Sequence, residues 1–475
     1  MGYGGALGYL ALIVFWPAAA ENDLPAAIVG LLAFVIVHLI WPECRFNLTT
    51  PLGLGNLAQL LFGIQFMVFP LLIKFYGFSR GALPWLPSHL AVNFTLVLMA
   101  SGYVIFSAMY HYTLTSRKTA AKLSPPSVDL KKIKPLVFIY AAIGILGLYL
   151  YHGSWQGYLN YLTDPGSLTL IKRDETASLS GAASTFFRPF MGFALVMAWS
   201  YWLDKNRSNR SWPRAGLGTL LLLLAFPLVN TFNYNRGSIV APMIAVLAAY
   251  SLRVSRLSLK FLVIGGCILF VFVSMLGAYR NLANPISRNR PETISIAAAA
   301  DPQAGVEFAQ IYLSAPQFAA FLIEESHSNS KIYWGSTLLS SVLYPLPMLG
   351  KSFRSTSGVM LYNALIYSTG NSGARDQVLP YIAEFFINFH LPGVIIGYML
   401  LGYVLARLQH SFETAHTTFD AYGWFYMGIW LLFPGSVPVT SQVCIYLLWP
   451  FYIYQVYTPI MARQHATVEK GGRER

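Results

Sequence analysis

Two kinds of side chain in this 475-residue chain are suited to chemistry: a set of arginines, and a carboxylate spaced four residues from an amide. Arg80, Arg173, Arg188, Arg236, Arg280, Arg288, Arg290, Arg354 and Arg375 stand in polar segments or at the ends of apolar runs. A guanidinium is a planar, permanently charged fork that matches phosphate oxygens. As a group these residues indicate an anionic ligand, while any one of them can instead pair with Asp174, Glu175, Glu307, Glu324, Glu325 or a lipid headgroup. Arg236 lies in Asn233-Tyr234-Asn235-Arg236-Gly237-Ser238, a short turn between two apolar runs, and Arg280 closes another run as Gly277-Ala278-Tyr279-Arg280. A diphosphate on a membrane lipid would meet both. Glu384 and Asn388 would share one face of a helix, and a carboxylate there is either a general base or a structural partner for one of the arginines. The Gly/Asn/Ser-rich stretch Gly370–Asp376 has the composition of a ligand-contacting turn.

The elements that must position these residues follow from composition. With 55% hydrophobic and 11% charged residues, and a mean hydropathy of +0.52, the chain is an integral membrane protein rather than a soluble domain. A bilayer core of about 30 Å needs roughly twenty apolar residues per helix. The runs at 4–20, 24–41, 54–76, 88–111, 135–152, 185–203, 216–234, 238–252, 260–279, 390–408, 421–436 and 441–461 are read as spans. They are too long and too uniformly apolar for barrel strands. Arg45, Arg117 to Lys134, Lys205 to Arg214, Arg253 to Lys260 and the tail after Ala462 carry the basic residues. The positive-inside rule therefore puts both termini in the cytoplasm and the polar stretch Arg280–Leu379 outside.

This divides the chain into 1–279 (nine spans), 280–379 (a large external loop), 380–461 (three spans) and 462–475 (a cytoplasmic tail). The first run is read as retained, because no Lys or Arg precedes Arg45, although Pro17-Ala18-Ala19-Ala20 has the look of a cleavage site. The net charge of +13 is accounted for by cytoplasmic loops, without nucleic acid. Cys44, Cys267 and Cys444 are scattered and suggest neither disulfides nor a metal site.

No Walker A loop, dinucleotide fingerprint, HExxH, zinc spacing or G-x-S-x-G elbow is present. Almost no ionisable residue lies inside a span, which argues against an ion-coupled carrier. In the external stretch, 302–326 has near-helical apolar spacing with a break at Pro316, and short surface helices are expected there with Glu307 and Glu324 toward water. The segment 332–350 reads as re-entrant or surface-lying. Aromatic residues such as Trp155, Tyr158, Tyr333 and Trp334 suit either an interfacial belt or stacking on sugar rings.

In order and spacing the region 220–410 resembles the bacterial oligosaccharide repeat-unit polymerases, the Wzy-type enzymes of O-antigen, enterobacterial common antigen and capsule pathways. The matching pieces begin with Asn-Arg-Gly-Ser at 235–238, Arg280, and Gly335…Pro345-Leu346-Pro347…Arg354…Asn363. They continue with Asn371-Ser372-Gly373 and Pro380…Glu384…Asn388-Phe389…Gly393. Where many members have Asn-Phe-Gly, this chain has Asn388-Phe389-His390. The resemblance implies an all-α polytopic membrane protein of about 12 transmembrane helices, with one large periplasmic loop carrying short surface helices and a GT-C-like architecture in the bacterial inner membrane.

It also implies inverting glycosyl transfer at the periplasmic face without cofactor or metal. Donor and acceptor are undecaprenyl-diphosphate-linked oligosaccharides, with a chain-length regulator and a flippase as possible partners. On that reading Arg236, Arg280 and Arg354 hold diphosphates, and Arg288, Arg290 and Arg375 hold diphosphate or sugar. Asn388 binds substrate, and Glu384 is the first choice of base with Asp376 the second. Rival readings are an O-antigen ligase, another polyprenyl-donor glycosyltransferase using Glu21 and Asp23, and a transporter of lipid-linked sugars. Asn22 or Asp23 before Pro25 also suits a helix cap.

Overall fold

The computed structural model describes residues 24–41, 44, 52–77, 83–120, 133–163, 186–206, 212–229, 236–258, 260–262, 264–266, 316–328, 332–343, 346, 353, 356–366, 379–432 and 435–457. Among the described residues there is no strand. Helices satisfy every backbone donor and acceptor within one segment, which an apolar surrounding demands. In chain order they are α1 (Leu24–Ile40), α2 (Leu54–Gly63), a π-helical turn (Ile64–Val68), α3 (Phe69–Tyr76), α4 (His89–Ala120), α5 (Ile133–His152) and α6 (Trp155–Thr163). Then follow α7 (Pro189–Lys205), α8 (Trp212–Val229), α9 (Arg236–Arg253), α10 (Pro316–Ser328), α11 (Ser336–Leu343) and α12 (Gly358–Ile366). The last are α13 (Tyr381–Glu413), α14 (Thr418–Leu432), α15 (Val437–Tyr446) and α16 over 449–457.

Among the described residues three helices are long and apolar enough to cross a membrane: α4 over His89–Ser116, α5 and α13. Apolar runs read from the sequence between 24 and 252 fold as helix to within a few residues. The run at 4–20 lies outside the described residues, and that at 260–279 is described only to 266. Two C-terminal runs differ from their expected form. The helix expected over 421–436 ends at Leu432, before Gly435 at φ 55°, and the run at 441–461 is divided by a turn at 447–448. Pro450 stands in the first turn of α16, where its missing N–H leaves no bond unmade. Pro316 begins α10 for the same reason. The segment 332–350 contributes the eight-residue α11, about 12 Å long and too short to cross a bilayer.

The chain forms two compact units. The first comprises 1–120, 294–409 and 430–442. Its aromatic core joins Phe62, Phe66, Tyr103, Phe106 and Tyr398, with ring centroids 5.2 to 5.9 Å apart around Phe62 and Tyr103. Helices α4 and α13 cross there on glycines. A Cβ on Gly102 would lie 2.7 Å from the Tyr398 ring, and one on Gly402 would lie 2.4 Å from the Phe106 carbonyl oxygen. Small residues at a crossing let two backbones approach and gain dispersion contacts where lipid supplies no hydrophobic drive. Helix α10 packs on α4, burying Phe318, Phe321, Leu322 and Ile323. The Glu324 carboxylate at its exposed end accepts the Ser88 N–H at 3.0 Å.

The second unit comprises 121–293, 410–429 and 443–475. Helices α5 and α7 press together at Gly144 and Gly147, where a Cβ would come within 2.3 and 2.4 Å of the Met191 and Arg188 nitrogens. Arg188 immediately precedes α7, buried, with its guanidinium 4.3 Å from the centre of the Tyr151 ring. A polar clasp starts α14. Asp204 accepts the Thr418 N–H and hydroxyl at 2.8 and 2.6 Å, Thr417 and Asp420 cap one another, and Gln455 donates to Asp420 at 2.7 Å. This clasp satisfies the buried Asp420 and the part-buried Asp204 with protein donors, as a structural joint must.

Candidate functional site

The first two turns of α13, 381–388, are buried at every position. Their start is fixed by the Tyr381 N–H, which donates to the Gly435 carbonyl, and by the Tyr381 hydroxyl, which lies 3.0 Å from the Leu431 carbonyl oxygen and 2.6 Å from Thr440 Oγ1. One turn on is Glu384, wholly buried. Its Oε1 accepts the Ser341 hydroxyl at 2.7 Å. That Ser341 oxygen in turn accepts the Gly358 N–H at 3.3 Å, while the Ser341 carbonyl takes the Ser441 hydroxyl at 2.7 Å. A further turn on, Asn388 is also wholly buried. Its Nδ2 donates to Thr337 Oγ1 at 2.5 Å and to the Glu384 carbonyl at 2.7 Å.

The neighbouring helices are chosen to admit this pair. Thr337 and Ser341 are four apart, so both point from one face of α11 toward α13. Gly358 is required by space rather than by backbone angle: a Cβ there would lie 2.6 Å from Glu384 Oε1 and 2.5 Å from Leu379 Cδ2. Two acceptors in this cluster, Glu384 Oε2 and Asn388 Oδ1, are buried and have no hydrogen-bond partner among the described residues. A buried acceptor left unmade costs about 1–3 kcal/mol, and more when charged. Neither atom reaches solvent, so a substrate touches Glu384 only if α11 or α12 moves off it.

Immediately beyond Asn388 the helix breaks. Phe389 (φ −141°, ψ 16°) and His390 (φ 52°, ψ −140°) leave helical geometry, and α13 resumes at Leu391. A positive φ with that ψ is glycine's territory, and a residue with a Cβ held there carries about 1–3 kcal/mol of strain. Position 390 thus has a backbone that glycine would adopt without strain. The break is clamped from the turn before α11: the Tyr333 N–H donates to the Ile387 carbonyl at 3.1 Å, and Gly335 (φ 81°) leaves room for the Phe389 ring, which a Cβ would meet at 2.8 Å. Trp334 in that turn is also left-handed, at φ 49°. At the same helix start, Pro380, Tyr381 and Ile382 border a small apolar cavity of about 50 Å³ that is also lined by Phe62, Met99 and Leu401.

Of the residues singled out from sequence, the structure brings Glu384 and Asn388 together. Arg236 is the first residue of α9. Asp376, Arg280, Arg288, Arg290, Arg354 and Arg375 lie outside the described residues, as do Glu21 and Asp23. Sequence reasoning missed Thr337, Ser341 and Gly358. The first two had a signal, a hydroxyl pair at helical spacing within an otherwise apolar segment. The need for glycine at 358 depends on a side chain from a distant helix and has none. Comparison with protein-family models, with curated proteins and with solved structures finds no match to this chain.

Proposed function

We propose that this chain joins lipid-linked oligosaccharides by glycosyl transfer, as a repeat-unit polymerase of a bacterial surface polysaccharide in the inner membrane. The reading includes about twelve spans, both termini in the cytoplasm, and a reaction at the periplasmic face with no metal or other cofactor. The observation that carries it is the wholly buried pair Glu384 and Asn388, each with an acceptor oxygen that has no partner among the described residues, set just before the break inside the membrane-length helix α13. Carboxylate and amide oxygens in such a place match sugar hydroxyls, which are the donors the reaction brings.

Two further features support this reading. The cavity beside Tyr381 is apolar, as the neighbourhood of a lipid carrier should be. Arg236 opens α9 with Gly237 and Ser238 behind it, and the positive end of a helix dipole favours an anion. A diphosphate leaving group needs charge stabilisation as the anomeric bond breaks, and arginines supply it. Arg280 and Arg354 are assigned to the same task, with Arg288, Arg290 and Arg375 on diphosphate or sugar. Glu384 serves as base only in an opened arrangement, and Asp376 is the alternative carboxylate.

The test is the polysaccharide profile of a strain lacking the gene, resolved by repeat number and by carrier. Single repeat units on the final acceptor, or accumulating on the carrier outside, support polymerisation. Full-length polymer stranded on the carrier would identify a ligase instead, and repeat units trapped inside the cell would identify a transporter.

A further inference from the structure

We infer that His390, rather than Glu384 or Asp376, is the group that takes the proton from the attacking sugar hydroxyl, and that Asn388 positions the helix break that presents it. This rests on the glycosyl-transfer reading above. His390 is held at φ 52°, ψ −140°, a backbone that glycine would adopt without strain. A side chain kept where its Cβ is unwelcome points to work done by that side chain. The imidazole is only half-buried, and among the described residues it meets the Phe386 ring edge-on at 4.9 Å and takes no hydrogen bond. By contrast Glu384 and Asn388 are sealed beneath α11 and α12.

The break is anchored on both sides, by Asn388 to Thr337 and by the Ile387 carbonyl to the Tyr333 N–H. His390 is therefore an accessible proton acceptor mounted on a fixed step, one residue before the exposed apolar face of Leu391, Ile395 and Ile396 begins. In the transfer, the acceptor hydroxyl oxygen bonds to the anomeric carbon as the bond from that carbon to the diphosphate oxygen breaks. The electron pair leaves with the diphosphate, and the hydroxyl proton passes to the free imidazole nitrogen.

The experiment uses the full chain in nanodiscs, with lipid-linked repeat units extracted from a strain lacking the gene. The variant is H390G, chosen because it suits the backbone. The expected result is normal insertion, a polymerisation rate lower by about 100-fold or more, and partial recovery on adding imidazole, which a purely structural role would not give. A wild-type rate in H390G, or a loss that imidazole does not repair, overturns the assignment. A wild-type chain that makes no polymer from the same substrate instead overturns the polymerase reading itself.

Discussion

Replacing His390 by glycine should leave the protein more stable than replacing it by alanine, a reversal of the usual order. Both substitutions remove the imidazole and its contact with Phe386, so that loss cancels in the comparison, and the variants differ by one Cβ. In an ordinary helix interior glycine is worse than alanine by about 1 kcal/mol. At φ 52°, ψ −140° the Cβ costs about 1–3 kcal/mol, against which glycine's greater freedom in the unfolded chain sets about 0.5–1 kcal/mol. The balance favours glycine by about 1 kcal/mol. Titrating SDS into mixed micelles of each purified variant, with unfolding followed by circular dichroism, measures the difference directly. Alanine equal to or more stable than glycine would refute the claim that position 390 is strained, and with it the argument that His390 is kept for its side chain.

Ser341→Ala removes the donor to Glu384 Oε1 and should lower stability by about 1.5–3 kcal/mol. The same substitution in a Glu384→Leu background should cost far less, and additivity in that double-mutant cycle would show that the two residues are not coupled. Gly358→Ala drives a methyl into Glu384 Oε1 and Leu379; a loss of about 1–3 kcal/mol is expected, read as reduced detergent-resistant folded protein. Arg236→Ala should abolish polymer while membrane levels hold, and Arg236→Lys should rescue poorly because a point charge does not replace a fork. Normal chain lengths in either variant would remove Arg236 from the diphosphate assignment.

Membrane-type helices were legible in the sequence because one apolar residue after another leaves only one way to satisfy the backbone. That logic located α1 to α5 and α7 to α9, though α4 runs on to Ala120 and the short α6 (Trp155–Thr163) was not anticipated. It failed at the edges of α14 to α16, where the turn around 447–448 falls inside an apolar run and so leaves no change in hydropathy to read. Glu384 and Asn388 were legible as a pair because helical spacing puts residues four apart on one face. Their closure beneath α11 was not legible, since it depends on the short helices α11 and α12 packing against α13. His390 was visible in the letters, but the strain at its position required the dihedral angles.

The π-helical turn Ile64–Val68 gives the segment Leu54–Tyr76 a built-in spare residue. Loss of one residue there would let the hydrogen-bond ladder close as continuous α-helix, so the segment would survive the deletion as a helix. The extra residue is absorbed within the wide turn itself, so Phe69 and Ile73, both buried, would keep the faces they now cover. The change would fall on the turn around Phe66, whose ring lies 5.2 Å from that of Tyr103. A related chain one residue shorter here would keep the facing of α3.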